Sequence, residues 1–148
     1  MAFGRKGTPS SSELNFFLDA AIAGNNPAIL KFLEKYGDEA VNDRYNGSSA
    51  IIWAAWAGHK ETVELLLEKG ANPNDRDSDG WTVQLRAETR GHPDVAKLVA
   101  DWPKIKEQRR IEREKIAAEK AAMEQSAVHL EKLKKSRPAK PVFKPKQP

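Results

Sequence analysis

The chain has 148 residues, 39% of them apolar and 31% charged, which suits one compact domain or a short repeat array with polar extensions. It contains no cysteine, which excludes a disulfide framework and a zinc-thiolate site. The net charge of +4 is unevenly divided. Residues 1–102 carry 11 Lys/Arg against 15 Asp/Glu, a net of −4, and residues 103–148 carry 14 against 6, a net of +8. Two different regions are therefore joined near Pro103.

The N-terminus, M-A-F-G-R-K-G-T-P-S-S-S, has a positive pair but no apolar stretch behind it. Residues 1–12 read as disordered and not as a secretory signal. The longest apolar run, Ala50 to Ala57, is far short of the ~20 residues that cross a bilayer. The expectation is a soluble cytoplasmic protein, or a nuclear one in a eukaryotic host, with no transmembrane segment.

From residue 13 onward the chain repeats. Gly47, Gly58 and His59 recur 33 residues later as Gly80, Gly91 and His92, and Gly37 stands 33 before Gly70. In L-N-F-F-L-D-A-A-I-A-G-N-N-P-A-I-L-K-F-L-E-K-Y-G the opening glycine is missing and the frame is shifted by one residue. The middle unit, G-S-S-A-I-I-W-A-A-W-A-G-H-K-E-T-V-E-L-L-L-E-K-G-A-N-P-N, and the less regular G-W-T-V-Q-L-R-A-E-T-R-G-H-P-D-V-A-K-L-V-A follow it. Small Ala54 and Ala55 let paired helices approach closely, and Val63, Leu65, Leu66 and Leu67 give a second helix its apolar stripe. Gly58 and Gly70 stand where helices end, and Pro27 and Pro93 where helices begin. Asn72-Pro73-Asn74-Asp75 reads as the turn into the next unit.

This period and these segments resemble ankyrin repeats, which recur every ~33 residues. The resemblance covers residues 13–102, in units of about 13–42, 43–75 and 76–102. It implies an all-α fold, an ankyrin-repeat solenoid of helix-turn-helix units. The T-P-L-H signature reads S-A-I-I at Ser49–Ile52 and T-V-Q-L at Thr82–Leu85, so the family's threonine-to-histidine hydrogen bond is absent. Gln84, Arg86 and Glu88 place polar groups where an inner unit is apolar, either because this unit caps the stack or because they pack on the helix that follows.

Residues 103–136 are strong helix formers without Gly or Pro after Pro103. Arg110–Glu114, Lys115–Glu119, Lys120–Glu124 and Glu131–Lys135 lie one helical turn apart. Ile116, Met123 and Leu130 are spaced by seven, but Glu119 and Ser126 interrupt that seam, which makes a poor coiled coil. Two readings stay open: a solvated helix docked on the repeats through Ile105 and Ile111, or self-association through 103–136. Residues 137–148, rich in proline and without an acid, read as a disordered basic tail. Lys132, Lys134, Lys135, Arg137, Lys140, Lys144 and Lys146 are candidates to contact phosphates of a nucleic acid or an anionic membrane. A solubilising tail or a nuclear localisation signal is the plain alternative.

Neither a nucleotide loop nor a metal-ligand motif occurs, and no nucleophile–base pair can be picked out. Asp75, Asp77 and Asp79 lack the glycine position and closing glutamate of a calcium loop. His59 and His92 occupy the helix-turn position where ankyrins use histidine for local hydrogen bonds, and His129 stands alone. The expectation is therefore no catalysis, no cofactor and no metal.

Function must then lie in an exposed face. The ankyrin resemblance implies a concave surface made of the turn tips and the outward side of each first helix. In this frame the candidate protein-binding residues are Tyr45, Asn46, Ser48, Trp56 and Ala57, with Asp79, Trp81, Thr89 and Arg90, and with Ser78 beside them. Leu14, Ile22 and Ala23 are the counterparts in the shifted first unit. Tryptophan, tyrosine and arginine are the residue types that dominate binding hot spots. Alternatively Trp56 and Trp81 pack on each other or under the C-terminal helix. Trp53 is expected in the core and Trp102 at the end of the last repeat. The leading reading is a monomeric, non-catalytic module that binds an unidentified protein partner. The alternative is a nucleic-acid- or membrane-associated protein acting through its basic C-terminal segment.

Overall fold

A computed structural model describes residues 5–136 and 146–147. Six α-helices follow in chain order: α1 (Ser11–Ala23), α2 (Asn26–Tyr36), α3 (Ala50–Ala57), α4 (Lys60–Glu68), α5 (Val83–Thr89) and α6 (Pro93–Lys135). A short 3-10 turn, Asp38–Asn42, follows α2. Among the described residues the only extended pairings are two isolated bridges, Tyr45 with Ser48 and Arg76 with Thr82. The chain divides into two compact units, Met1–Ile105 and Lys106–Pro148.

In the first unit the three helix pairs stack through their first helices, α1 against α3 and α3 against α5. The residues of α3, A-I-I-W-A-A-W-A, explain this order. Ala50, Ile51, Ile52, Ala54 and Ala55 are all buried, and the alanines let α3 be flanked closely on both sides. At the first repeat, Phe17 and Phe32 stack with ring centroids 4.2 Å apart and tie α1 to α2. In α4, Val63, Leu66 and Leu67 are buried and Leu65 packs at the edge of the core. The stripe Val95, Leu98, Val99 and Trp102 buries the start of α6, and Ile105 is the last apolar residue of that helix packed against the core.

Glycine and histidine are linked across repeats. Gly58 ends α3 at φ 84°, in the left-handed region, and a Cβ there would stand 2.4 Å from the His92 ring. The imidazole of each repeat thus lies over the helix end of the repeat before it. His59 does the same one repeat earlier, with Nε2 2.8 Å from the Ile22 carbonyl. The recurring Gly-His pair is a packing element between repeats as well as a helix terminator.

One expectation needs correction. Residues 5–12 are anchored: the Lys6 amide donates to the Tyr36 carbonyl at 3.1 Å, and Arg5 pairs with Asp43 at 2.5 Å. Ser10 caps α1 in a reciprocal box, its backbone N–H donating to the Glu13 carboxylate at 2.9 Å. The change of composition at Pro103 falls inside α6, which runs through it, two residues before the two compact units divide. Proline there removes one amide donor, but the helix on either side continues. At the motif that lacks the threonine–histidine bond, Ser49 donates to Asp75 at 2.6 Å.

The second unit is the remainder of α6. Its apolar side chains are exposed, including Ile111 at 52%, Ile116 at 54%, Met123 at 74% and Leu130 at 58%, and Arg109 alone among residues 106–136 is half-buried. Arg110 pairs with Glu114 at 2.7 Å and with Glu107 at 2.5 Å. The tail expected to be disordered lies outside the described residues, apart from Lys146 and Gln147.

Candidate functional site: an aromatic and charged cleft on the repeats

The turn tips come first, because they position everything else. Asn46 and Gly47 both have positive φ, 51° and 78°, the backbone of a tight hairpin turn between Tyr45 and Ser48. The next tip, Asp77 to Trp81, is organised by one side chain. Buried Asp77 accepts from the amides of Asp79 and Trp81, each at 3.0 Å, so its carboxylate closes the turn from within. The tips approach closely: a Cβ on Gly47 would stand 2.8 Å from the Ser78 Cβ. Arg44 reinforces the pair, bonding Asp75 at 2.6 Å and the carbonyls of Gly47 and Arg76.

From α5, Arg86 reaches the same tip. Its Nε donates to Asp77 at 2.5 Å, a terminal nitrogen also pairs with Asp77, and the same nitrogen lies 3.2 Å from Asp79. Its guanidinium also covers the Trp81 ring at 4.9 Å. Burial would raise the Asp77 carboxyl, but the Trp81 amide, Arg86 and the Asp79 amide outweigh it and hold the group below the usual carboxylate range.

The outward side of α3 supplies Trp53 and Trp56, which meet edge to face with centroids 5.9 Å apart at 76°. Arg90 lies over Trp56 at 4.2 Å. Together Asn46, Ser48, Ile52, Trp53, Trp56, Asp77, Ser78, Asp79 and Arg86 line a cleft of about 360 Å³. Indole walls and carboxylates here meet one guanidinium, that of Arg86, bound through two of its nitrogens.

Of the residues singled out in the sequence, Asn46, Asp79, Thr89 and Arg90 are exposed, and Tyr45, Trp56, Ala57 and Trp81 are half-buried. The structure brings Asn46, Ser48, Trp56, Ser78 and Asp79 to the cleft. Ser48 was expected to face solvent and is buried at 7% exposure, because its backbone pairs with Tyr45. Leu14 packs against the core instead of standing free. Trp56 finds its ring partner in Trp53, which was expected in the core and is half-buried on the cleft wall. Asp77 and Arg86 were not counted as site residues, although an arginine at an inner helix position, nine residues after a turn aspartate, was a usable signal. Trp102 is buried at the end of the repeats, as expected.

A larger concavity of about 580 Å³ lies within the first repeat, between α1 and α2, with Phe16 62% exposed at its edge. It involves neither turn tip, and its volume alone does not make it the site. Of the basic candidates, Lys132, Lys134 and Lys135 are exposed on α6 and Lys146 is exposed in the tail. Arg137, Lys140 and Lys144 lie outside the described residues.

Stacked helix pairs, hairpin tips and Gly-His contacts between repeats define a helical repeat protein. The chain belongs to the ankyrin-repeat family: ankyrin repeats in three copies match residues 17–111. It is similar to the potassium channel AKT1 of Arabidopsis thaliana, with 33% identity over 91 residues, 62% of this chain and 11% of the channel. It is also similar to the glycerophosphocholine phosphodiesterase gde1 of Schizosaccharomyces pombe, with 32% identity over 83 residues, 55% of this chain and 7% of that protein. Protein phosphatase 1 regulatory subunit 27 of Homo sapiens is 31% identical over 83 residues, 56% of this chain and 54% of the subunit. The chain thus spans about a tenth of the channel's length and about half of the phosphatase subunit's. Ankyrin repeats mark a protein–protein interaction module. No helix among the described residues is long and apolar enough to cross a membrane.

Proposed function

We propose that the chain is a non-catalytic module that binds a protein partner on the face formed by the two turn tips and the outward side of α3 and α5. The observation that carries this reading is the cluster of Trp53, Trp56, Trp81, Arg86 and Arg90 on one face. Tryptophan and arginine anchor binding hot spots because they bury large areas with few rotatable bonds. The half-buried rings are already held in place by Arg86 and Arg90, so little ordering remains to be done on binding. The module acts as a monomer, and it needs no cofactor.

Trp56→Ala and Trp81→Ala should each weaken partner binding by about 2 kcal/mol, roughly 30-fold, measured by titration calorimetry. Binding that survives both substitutions would overturn the reading. The second reading places affinity for nucleic acid or an anionic surface in the basic C-terminal segment. Its support is the exposed cluster Lys132, Lys134 and Lys135 at the end of α6. Deleting residues 132–148, which removes seven Lys/Arg and no acid, should then abolish binding to DNA or to anionic vesicles at low salt.

A further inference from the structure

The cleft's chemistry narrows what can enter it. Its fixed charges are Asp77, Asp79 and Arg86. The first and last are spent on each other: Asp77 is enclosed, with 4% of its side chain exposed, and holds Arg86 through two nitrogens. Arg86 is further occupied by the ring of Trp81. Asp79 is different. Its side chain is 72% exposed, and its ion-pair contact with Arg86 is the longer of the two, at 3.2 Å. A carboxylate accepts about four hydrogen bonds, so Asp79 has acceptor capacity to spare. Among the residues that line it, the cleft therefore carries one carboxylate more than it has guanidinium groups, beside two indole walls.

We propose that this cleft receives a basic side chain of the partner protein, arginine or lysine, with its aliphatic stem along Trp53 and Trp56 and its charged head at Asp79. The inference rests on the binding face argued above and adds the chemistry of its occupant. Aromatic faces attract cations within about 6 Å of the ring centroid, and long basic side chains cover apolar surface with their stems. The same face already holds two guanidinium groups in this way, over Trp81 and Trp56, and Arg90 does so without lining the cleft. The net charge of −4 over residues 1–102, the region that holds the cleft, suits a basic partner locally.

The test uses the full chain and capped single amino acids as probes. Arginine and lysine, each as the N-acetyl methylamide, should move the indole N–H resonances of Trp53 and Trp56 saturably in the millimolar range and leave that of Trp102 in place. Asp79→Asn should weaken this effect severalfold while Arg86 stays bound to Asp77. Two results would overturn the proposal. One is an equal response to the norleucine derivative, which has the stem but no charge, or to the glutamate derivative. The other is no movement of either indole with any probe. The wider reading fails separately, when a protein partner binds undiminished to both Trp56→Ala and Trp81→Ala.

Discussion

At the scale of single residues, Asp77 does the most. It receives two turn amides and Arg86, so replacing it by alanine leaves three donors without their acceptor. Breaking a buried charge pair costs about 3–5 kcal/mol, and because Arg86 keeps 25% of its side chain exposed we expect about 2–3 kcal/mol for Asp77→Ala in urea unfolding. The pH dependence has a definite sign. Because the folded carboxyl is held below its unfolded value of about 4, its contribution is complete above that pH. It is lost as pH falls through the depressed folded value. Thermal unfolding followed from pH 7 to pH 2 should show Asp77→Asn flattening the decline below about pH 4.

Gly58 gives a second residue-scale test. Alanine there must adopt φ 84° and push its Cβ into the His92 ring. Strain at such a position costs of order 1–3 kcal/mol before the clash is added, so Gly58→Ala should lower stability by at least about 2 kcal/mol. The double change Gly58→Ala with His92→Ala should recover the clash but not the backbone term. Single-residue roles were the least legible part of the sequence. The Gly-His recurrence was visible, but not that each histidine lies over the preceding repeat's glycine. Trp53 was misplaced because a helix flanked on both sides has three faces, and a frame that sorts residues into inward and outward cannot place the third.

Among the elements, α6 makes the sharpest division. Ile105 is the last apolar residue of that helix packed on the core, and from residue 106 to 136 every side chain but the half-buried Arg109 is exposed. A chain ending after Ile105 should therefore keep its thermal midpoint within a few degrees of the full protein, by calorimetry. Helix existence and order were readable, because the apolar stripes of α2, α4 and the start of α6 follow the 3.6-residue period. Boundaries were not. The box Ser10–Glu13 was present in the sequence, yet the serine run before it reads equally as disorder. At Pro103 the composition changes while helix propensity on both sides keeps the backbone helical.

For the whole molecule, the issue is which of two differently charged regions holds the partner. An aromatic face should give affinity that changes little between 50 and 200 mM salt, whereas a protein making several phosphate contacts loses orders of magnitude over about that range. The fold was legible from the 33-residue period alone, since each repeat buries its neighbour's apolar side and the spacing of that burial is written in glycine and alanine. The candidate site was legible only in part, because the residues that line a cleft obey no period. Trp56, Trp81 and Asp79 could be placed from the repeat frame, but Arg86 looked like a capping residue until its contacts with Asp77 and Trp81 were seen. The most direct test of the binding face is site-specific photo-crosslinking of the full chain in host extract. A crosslinker at Thr89, exposed one turn after the cleft residue Arg86 on α5, should capture a discrete protein, and one at Glu61 on α4 or Glu124 on α6 should not. Capture from Glu124 but not from Thr89 would contradict the account.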